Sequence, residues 1–328
     1  MTKAQSAPVA LFVFNRPQQT ARVFEAIARA RPTRLFIVAD GPRTEAERAE
    51  CEAVREVVSH VDWPCTVSHK YSRHNLGCRR CVASGLDWVF SEVEEAIVLE
   101  DDCVPDVTFF GFCSELLEYY RHDTQVMHIS GDNFKWWYRR CSGSYYFSKY
   151  PHIWGWATWR RAWQLYDDDM KQWPQFRDSG GLDFLCDDHR DRVFWTDWLN
   201  ATYSGKMNSW AIRWLFACWL HGGISVCPKV NLVENIGFDK RATHTQKRRR
   251  WAPNLATGSM RFPLAHPVDK VRNRVIDRDT LERCFLQLPP LWFQWLEMAL
   301  NRHVYGAMVR KIPIIGNIWA RERRQRSQ

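Results

Sequence analysis

The sequence predicts an α/β protein whose sheet is mostly parallel and is covered by helices on both faces. Over the first 130 residues, short apolar runs alternate with amphipathic helical stretches, which is the pattern of a buried parallel sheet with helical crossovers. The chain has 328 residues, of which 45% are apolar and 25% are charged. These proportions are ordinary for a folded domain, and they exclude a disordered tail, a collagen-like repeat and a small disulfide scaffold.

The elements of the first half follow from this alternation. Thr44 is a candidate N-cap with Glu47 three residues further on, and this capping box predicts the start of the second helix. Right-handed crossovers between the strands then produce a doubly wound layer. The predicted strands are 9–14, 35–39, 65–68, 96–99 and 126–129, and the predicted helices between them are 18–30, 44–60, 77–90 and 106–121.

The alternation weakens after Gly131, where aromatic residues become dense. Twelve of the 18 tryptophans fall between Trp136 and Trp219. In this half the patterns predict helices at 158–166, 190–203 and 209–221, a strand at 224–227 and a loop over 231–245.

The termini and the cysteines favour a reduced, cytoplasmic setting. We find no signal-peptide pattern at the start and no apolar stretch long enough to span a membrane. The 11 cysteines are odd in number and scattered, so we expect free thiols. Cys78 and Cys81 form a lone CxxC, for which a structural role is favoured over a metal or redox role because no second pair follows.

The net charge of +9 is carried by the C-terminal quarter. Residues 240–328 hold 19 Lys and Arg against 6 Asp and Glu, whereas the remaining 239 residues hold 27 against 31. Basic runs at 247–250 and 321–326 accompany apolar anchors such as Trp292, which favours a segment that lies on an anionic membrane surface. The alternatives are packing on the domain, oligomerisation and nucleic-acid binding; for the last the chain carries no recognised motif, so no nucleic-acid partner is expected.

Polar and turn residues follow each of the first four predicted strands. In an open α/β sheet, ligands bind beyond the carboxyl ends of the strands, so these residues are expected to meet at one crevice. They are Asn15 and Arg16 after the first strand, Asp40 after the second, Asn75 and Gly77 after the third, and Glu100, Asp101 and Asp102 after the fourth.

The three adjacent carboxylates of Glu100, Asp101 and Asp102 repel one another directly after a buried apolar strand. A divalent cation relieves this repulsion, and Mg²⁺ or Mn²⁺ takes one or two protein carboxylates and completes its shell with water and phosphate oxygens. We therefore expect a cation-assisted phosphate site, with a solvated acidic turn as the alternative. The acidic runs 167–169 and 187–188 are interpreted as solvated, and neither a P-loop nor a Gly-rich dinucleotide motif is present.

The order of these motifs resembles that of the GT-A glycosyltransferases. The chain is similar to the family-2-like nucleotide-diphospho-sugar transferases of bacteria and, more distantly, to the N-acetylglucosaminyltransferase I family. The resemblance covers about 240 residues and is most specific in EDDCVPD. The matching stretches are FVFNRP at 12–17, ADGPR at 39–43, HNLG at 74–77, VLEDDCVPD at 98–106, FWTDWL at 194–199 and NLVENIGFDKRATHT at 231–245.

The resemblance implies a role for each matched residue. Asp102 would be the direct ligand of Mn²⁺ or Mg²⁺ on the donor diphosphate, with His244 near the metal or the diphosphate. Asp197 would be the general base of an inverting transfer, and pairing with Arg192 or Arg213 is its structural alternative. The residues implied in donor binding are Asn15, Arg16, Asp40, Asn75, Gly77, Glu100, Asp101, and the closing-loop residues Lys240 and Arg241.

The function that the sequence predicts is a metal-dependent, inverting transfer of a sugar from a nucleotide-diphosphate donor to a glycan or lipid-linked acceptor. Trp154 and Trp156 are the candidate acceptor platforms, because indole faces stack on sugar rings, and most other tryptophans are expected in the core. A sugar-1-phosphate nucleotidyltransferase and a non-enzymatic membrane-surface or nucleic-acid-binding protein are the alternatives.

The expected organisation is a GT-A catalytic domain at 1–246 followed by a basic helical extension at 247–328. Within the domain, 1–130 is the nucleotide-sugar half and 131–246 is the acceptor half. The extension is expected to hold the cytoplasmic enzyme on the inner face of the membrane.

Overall fold

A computed structural model describes residues 7–134, 143–238 and 257–286. The chain forms two compact units, Met1–Arg278 and Asp279–Gln328. The first unit holds the sheet described below. In the second, the described residues form the end of one helix and a π-helical turn at Leu281–Phe285. None of the helices in the described ranges is long and apolar enough to cross a lipid bilayer.

The strands and helices alternate in the first half as the sequence predicts. The strands are β1 (Val9–Val13), β2 (Arg34–Ala39), β3 (Thr66–Tyr71), β4 (Glu95–Glu100), β5 (Cys103–Pro105), β6 (Val126–Ser130), β7 (Tyr145–Ser148), β8 (Trp156–Trp159), β9 (Ile224–Pro228) and β10 (Val233–Asn235). The helices are α1 (Pro17–Ala30), α2 (Arg48–Ser59), α3 (Cys78–Glu92), α4 (Val107–Tyr119), α5 (Arg160–Trp163), α6 (Trp173–Asp178), α7 (His189–Tyr203), α8 (Trp210–Leu220) and α9 (Arg274–Thr280).

Eight of the described strands form one sheet in the order β3-β2-β1-β4-β8-β6-β9-β7. The first four are parallel to one another, β6 and β9 run in the same direction as these four, and β8 and β7 are antiparallel to their neighbours. Strands β5 and β10 pair separately. The predicted fold class, a Rossmann-like layer with a mostly parallel sheet between helices, is confirmed.

The apolar strands bury side chains on both faces of the sheet. In β1, Val9 and Leu11 join a core formed with α1, α2 and α4, whereas Ala10 and Phe12 join a second core formed with α3 and α8. Every residue of β1 is buried. This is why the strand is a continuous apolar run, because alternation appears only when one face of a strand meets water.

The prediction of a helix at 158–166 is wrong in its first part. Residues 156–159 form β8, which lies between β4 and β6, and only 160–163 are helical. Each residue of β8 is buried, so the strand has no polar alternation that would distinguish it from the helix that follows. No pattern in the sequence predicts β5 or β7. Strand β10 lies inside the segment 231–245 that was predicted as a loop.

The predicted capping box at the second helix is also wrong. Thr44 makes no capping hydrogen bond, and a 3₁₀ turn at Glu45–Glu47 precedes α2. Glu47 instead accepts the backbone N–H of Arg43 at 2.9 Å and forms an ion pair with its guanidinium. The carboxylate therefore stabilises the loop after β2 rather than the helix end.

Residues 257–278 pack on the sheet layer of the first unit. The N–H of Met260 donates to the hydroxyl of Thr108 at 2.8 Å, and Arg272 forms an ion pair with Asp277 at 2.6 Å. The hydroxyl of Ser148 in β7 donates to the same Asp277 at 2.5 Å. The predicted division of the chain at residue 246 stays a prediction, as does the basic helical extension, most of which lies outside the described residues.

His128 lies in the middle of β6 with both ring nitrogens in hydrogen bonds. Its Nε2 donates to the carbonyl of His152 at 2.7 Å, and its Nδ1 accepts from Trp214 at 3.1 Å. The ring is fully buried and stacks on Trp156 with 5.0 Å between centroids. Burial lowers the pKa of His128 from the ordinary 6.5 to about 3.

This buried histidine should make the folded state less stable in acid. Between pH 6.5 and 3 the unfolded chain binds a proton at His128 that the folded chain excludes, so stability falls as the pH drops. From pH 7.5 to 5.5, urea unfolding of the wild type should lose about 1.4 kcal/mol more than that of His128→Gln, which keeps an amide donor and acceptor.

The matched control is His60→Gln, because the side chain of His60 is 69% exposed. In this variant, the loss of unfolding free energy between pH 7.5 and 5.5 should equal that of the wild type. An equal loss of stability in the wild type and in His128→Gln would contradict the interpretation.

Candidate functional site

A cavity of about 350 Å³ opens at the carboxyl ends of β1 to β4. These parallel strands end at the same edge of the sheet, which brings the residues that follow them together. The predicted site residues that line the cavity are Asn15, Arg16, Asp40, Asn75, Gly77, Glu100, Asp101, Asp102 and Trp154.

The floor of the cavity is an acidic cluster with one arginine. Nη2 of Arg16 lies 2.5 Å from Oδ1 of Asp101 and 3.0 Å from Oδ2 of Asp102. Oδ2 of Asp101 accepts the N–H of Phe14 at 3.2 Å, which ties the end of β4 to the end of β1. The side chains of Asp101 and Asp102 are only 5% and 16% exposed, so water screens their charges weakly.

Burial and mutual repulsion raise the pKa of two of these carboxyl groups. For Glu100, burial is the first cause and the charges of Asp102 and Asp101 add to it. For Asp101, burial raises the pKa further than the attraction of Arg16 lowers it. Burial opposes the charge of Arg16, but Asp101 and Asp102 outweigh it and raise the pKa of the guanidinium. One cation thus balances three acids incompletely.

Glu100 and Asp40 lie at the ends of β4 and β2, the two strands that flank β1, but they differ in what they bind. Glu100 has no hydrogen-bond or ion-pair partner among the described residues, and its side chain lines the cavity. The carboxylate of Asp40 accepts four hydrogen bonds of 2.8 to 3.0 Å, which fills its acceptor sites. The donors are the N–H groups of Gly41, Leu76 and Gly77 and the side-chain amide of Asn75.

Asp40 therefore holds the loop between β3 and α3 in place. Gly41 supports this arrangement, because a Cβ at that position would lie 2.6 Å from the backbone of His74. The loop ends at Gly77, whose φ of 76° is a conformation that favours glycine. Helix α3 begins at the next residue, with its first turn at the cavity.

Arg43, which sequence reasoning missed, forms the cavity wall beside β2. Its guanidinium lies 5.2 Å from the ring centre of Phe14 and pairs with Glu47. Glu47 also accepts from the side-chain amide of Asn15 at 3.3 Å. The sequence feature that could have indicated Arg43 is the ADGPR stretch at 39–43, which ends at this residue. Glu47, although outside the lining, positions two residues that belong to it.

The opposite wall comes from the second half of the chain. Trp154 lines the cavity, and Phe238 contacts it edge-on with 5.5 Å between ring centroids. Asn235 and Gly237 also belong to the lining, and a Cβ at position 237 would lie 2.0 Å from Oδ2 of Asp102. Asn235, Gly237 and Phe238 belong to the 231–245 stretch that carried the sequence resemblance. Lining residues without a local sequence signal are Ile153, Ser209, Trp210 and Ala211.

Trp156 does not line the cavity. Its side chain is fully buried and stacks between His128 and Trp210. An acceptor platform needs an accessible ring face, so we correct its assignment to the core. Gly155, with a φ of 64°, separates the two tryptophans at the turn into β8.

Asp197 lies on the exposed side of α7 and is not part of the cavity lining. The expected structural alternative is also not realised, because Arg192 pairs with Asp183 and Arg213 donates to the carbonyls of Asp168, Ser209 and Thr202. Its predicted role as the base stays a prediction. Lys240, Arg241 and His244 lie outside the described residues.

Cys78 and Cys81 face the cavity from the first turn of α3. Burial is the first cause that raises the pKa of both thiols, and nearby carboxylates add to it. This direction favours the protonated form of both thiols. All cysteines in the described ranges are free thiols.

The carboxylate of Asp102 lines the cavity, and its Oδ1 is only weakly occupied by protein donors. Among the described residues, this oxygen has two contacts, with the amide of Asn235 at 3.4 Å and the thiol of Cys103 at 3.5 Å. In the part of the chain that the structure describes, no group of three His, Cys, Asp or Glu side chains is arranged to hold a metal. Mg²⁺ and Mn²⁺ commonly bind through one or two carboxylates and phosphate oxygens, and the donor set fits this mode.

No protein-family model and no curated protein matches the sequence. Three solved structures are similar in part. They are 4-diphosphocytidyl-2C-methyl-D-erythritol synthase of Anaerococcus prevotii (7% identity, 52% of this chain and 84% of that chain, TM-score 0.33), UDP-glucose pyrophosphorylase complexed with UDP-glucose (10%, 48% and 78%, 0.28) and mouse xyloside xylosyltransferase 1 (14%, 64% and 80%, 0.31). Likenesses this small do not decide a function, so the residues of the cavity must do so.

Removing the guanidinium of Arg16 from the acidic cluster should destabilise the folded protein and make its melting temperature depend on Mg²⁺. In Arg16→Gln the carboxylates of Asp101 and Asp102 lose their partner, which should cost about 3 kcal/mol in urea unfolding. Millimolar Mg²⁺ should then raise the melting temperature of the variant more than that of the wild type, because the added cation replaces the missing charge.

The control is Arg22→Gln, in the helix α1 that Arg16 directly precedes. Arg22 pairs with Glu234, but the two side chains are 55% and 50% exposed, so its loss should change stability by less than about 0.5 kcal/mol. If Mg²⁺ shifted both variants and the wild type equally, the cluster would not be a cation site.

Proposed function

We propose that the protein is a metal-dependent GT-A glycosyltransferase that uses a nucleotide-diphosphate sugar as donor. The observation that carries the proposal is the acidic cluster of Glu100, Asp101 and Asp102 on the floor of a cavity at the strand ends. Three carboxylates with one guanidinium would repel an anionic ligand. A divalent cation held by Asp102 would turn this repulsion into attraction.

Mn²⁺ or Mg²⁺ is the cofactor that we propose, held by Asp102 and the donor diphosphate. When bound, the ion would stabilise the negative charge that develops on the leaving nucleoside diphosphate. Glu100 and Asp101 would bind hydroxyl groups of the donor. Glu100 is the better placed of the two, because its carboxyl group has no protein partner in the described residues.

The remaining lining residues would position the donor and exclude water. Asp40 holds Asn75 and Gly77 at the rim, so its contribution to binding is indirect. Arg43 and Phe14 offer a cationic and an aromatic surface beside β2 for the nucleoside. Trp154 provides an indole face on the opposite wall, where the acceptor sugar would bind.

The proposed acceptor is a glycan or a lipid-linked sugar, and the proposed stereochemistry is inversion. An inverting reaction needs a base on the far side of the sugar from the diphosphate. The attachment of the enzyme to an anionic membrane surface in the cytoplasm is part of the proposal, but the basic segments that would mediate it lie outside the described residues.

A sugar-1-phosphate nucleotidyltransferase is the competing proposal within the same fold class. Such an enzyme needs a Gly-rich loop after the first strand to hold the phosphates of a nucleoside triphosphate. Here residues 14–16 connect β1 to α1, and none of them is a glycine. Arg16, the basic residue of this connection, forms ion pairs with Asp101 and Asp102. This favours the glycosyltransferase.

The first experiment is calorimetry of nucleoside diphosphates in the presence and absence of Mn²⁺. The wild type should bind one of UDP, GDP, dTDP or ADP only with the metal, and Asp102→Asn should weaken this binding about 100-fold. Asp169→Asn is the control, because Asp169 is 73% exposed and does not belong to the cavity lining. Metal-independent binding, or binding that Asp102→Asn leaves unchanged, would contradict the metal assignment.

Product analysis separates the two candidate reactions. Incubated with Mn²⁺ and the nucleotide sugar of the preferred base, a glycosyltransferase releases nucleoside diphosphate, even when water is the slow acceptor. A nucleotidyltransferase instead needs pyrophosphate and releases a sugar phosphate and a nucleoside triphosphate. We expect nucleoside diphosphate without added pyrophosphate; formation of the triphosphate would favour the alternative.

A further inference from the structure

Six exposed apolar side chains follow one another along the outer side of α4 and along the segment that packs beside it. They are half of the 12 large apolar side chains that are exposed in the described ranges. Single exposed apolar residues are normal on a protein surface, whereas a continuous group of them indicates a binding surface. We call this group the apolar strip; its members are Val107, Tyr119, Phe262, Val268, Val271 and Val275.

The first half of the strip is continuous because a later segment of the chain packs along α4. Val107, Gly111 and Tyr119 belong to one i, i+4 row on the surface of this helix. The ring of Phe262 lies over Gly111, where a Cβ would come within 3.0 Å of it. The ring of His266 stacks on Tyr119 with 4.0 Å between centroids. Phe262 therefore lies along the row between Val107 and Tyr119.

The second half of the strip follows the outer edge of the sheet. Lys270 pairs with Asp123, which follows α4. Further along, the N–H of Asn273 donates at 2.8 Å to the carbonyl of Phe147 in β7, the last strand of the sheet. Three strip residues lie in this segment and are between 61% and 98% exposed: Val268, Val271 and Val275.

The acidic side chains beside the strip are held in ion pairs. Glu118 pairs with Arg121, and Asp187 pairs with Arg274. Asp269, an exposed acid directly after Val268, has no ion pair among the described residues. The strip thus adds little negative charge to the surface around it.

The sequence on both sides of the strip segment is basic. Residues 240–250 contain six Lys and Arg and no acid, and residues 287–328 contain seven Lys and Arg against two acids. A second copy of the chain would carry the same excess of positive charge, so electrostatics opposes pairing of two strips. A bilayer with anionic lipids attracts the basic residues and accepts the apolar side chains.

We propose that the apolar strip docks on the surface of a bilayer that contains anionic lipids. The strip begins at Val107, which closely follows Asp102 at the edge of the sheet where the cavity opens, and α4 leads back from that edge. Docking through the strip brings this edge close to the lipid, so a lipid-linked acceptor reaches the cavity from the bilayer. The role of the acceptor rests on the proposed function, whereas the docking itself does not.

The test measures flotation of the full chain with vesicles of phosphatidylcholine, alone or with about 30% phosphatidylglycerol. The wild type should bind the anionic vesicles more tightly. The double variant Val268→Ser/Val271→Ser changes no charge and removes two exposed apolar side chains, so it should lower the partition coefficient at least about 10-fold. The matched control is Tyr71→Ser/Leu76→Ser, because these exposed residues lie in and after β3, at the opposite edge of the sheet, and it should bind as the wild type does.

A second variant should strengthen the binding. Asp269→Asn removes an exposed negative charge from the strip, which should raise the affinity for the anionic vesicles about 5-fold and leave that for neutral vesicles unchanged. Asp169→Asn is its control. Asp169 follows Asp168, which pairs with Arg79 of α3, and α3 packs on the face of the sheet opposite to α4. Salt screens a charge at that distance, so this variant should bind as the wild type does.

Four outcomes would overturn the inference. They are a wild type that binds no vesicles, and a Val268→Ser/Val271→Ser variant that binds them as tightly as the wild type. A dimer of the wild type in sedimentation that this variant dissociates would assign the strip to a second copy. A clear fall in the unfolding free energy of the variant would show that the strip is covered within the chain.

The outcome also separates docking from the proposed function. Nucleoside diphosphate binding with Mn²⁺ should be unchanged in the Val268→Ser/Val271→Ser variant, because neither residue lines the cavity. A wild type that binds anionic vesicles through the strip but binds no nucleoside diphosphate would confirm the docking surface and contradict the proposed reaction.

Discussion

The unbalanced charge at the end of β4 is the constraint on which the rest of the site depends. Asp101 and Asp102 share a single guanidinium, and Glu100 has no partner at all among the described residues. Holding three acids in a poorly hydrated place costs stability, because each charge loses water and meets a like charge. The fold tolerates this cost because β4 is buried on both faces, and its rigid end points the acids into the cavity.

The antiparallel strand β8 decides what the cavity can do. Without it, β4 and β6 would be adjacent parallel strands, and the edge would hold only the acids and turns of a nucleotide-binding layer. Inserted between them, β8 brings the residues before it, Ile153 and Trp154, to the same edge, where they line the cavity. The cavity thus has two chemically different sides, an acidic one at the end of β4 and an apolar, aromatic one before β8.

Most of the first half could be predicted because β1, β2, β4 and β6 are separate, largely buried apolar runs between helices. The same logic failed for β8, whose residues are all buried and are followed at once by a helical turn, so no period marks its start. The sequence pattern also could not distinguish the roles of Trp154 and Trp156. The turn at Gly155 lies between them, so that Trp154 lines the cavity and Trp156 packs in the core. Asp132 and His152 lie 20 residues apart, and only the strand order brings them together.

Asp40 and Glu100 show why a residue type at a strand end does not by itself define a role. Both carboxylates belong to the lining, yet Asp40 accepts four N–H groups and has no acceptor site left for a ligand, whereas Glu100 has no partner among the described residues. A carboxylate with four donors is a structural residue that shapes the loop at 75–77. A partly buried carboxyl group without a protein donor has acceptor sites that water or a ligand can fill. Hydrogen-bond satisfaction, which no sequence pattern reports, therefore distinguishes the two carboxyl groups: that of Asp40 is occupied by protein donors, whereas that of Glu100 has none among the described residues.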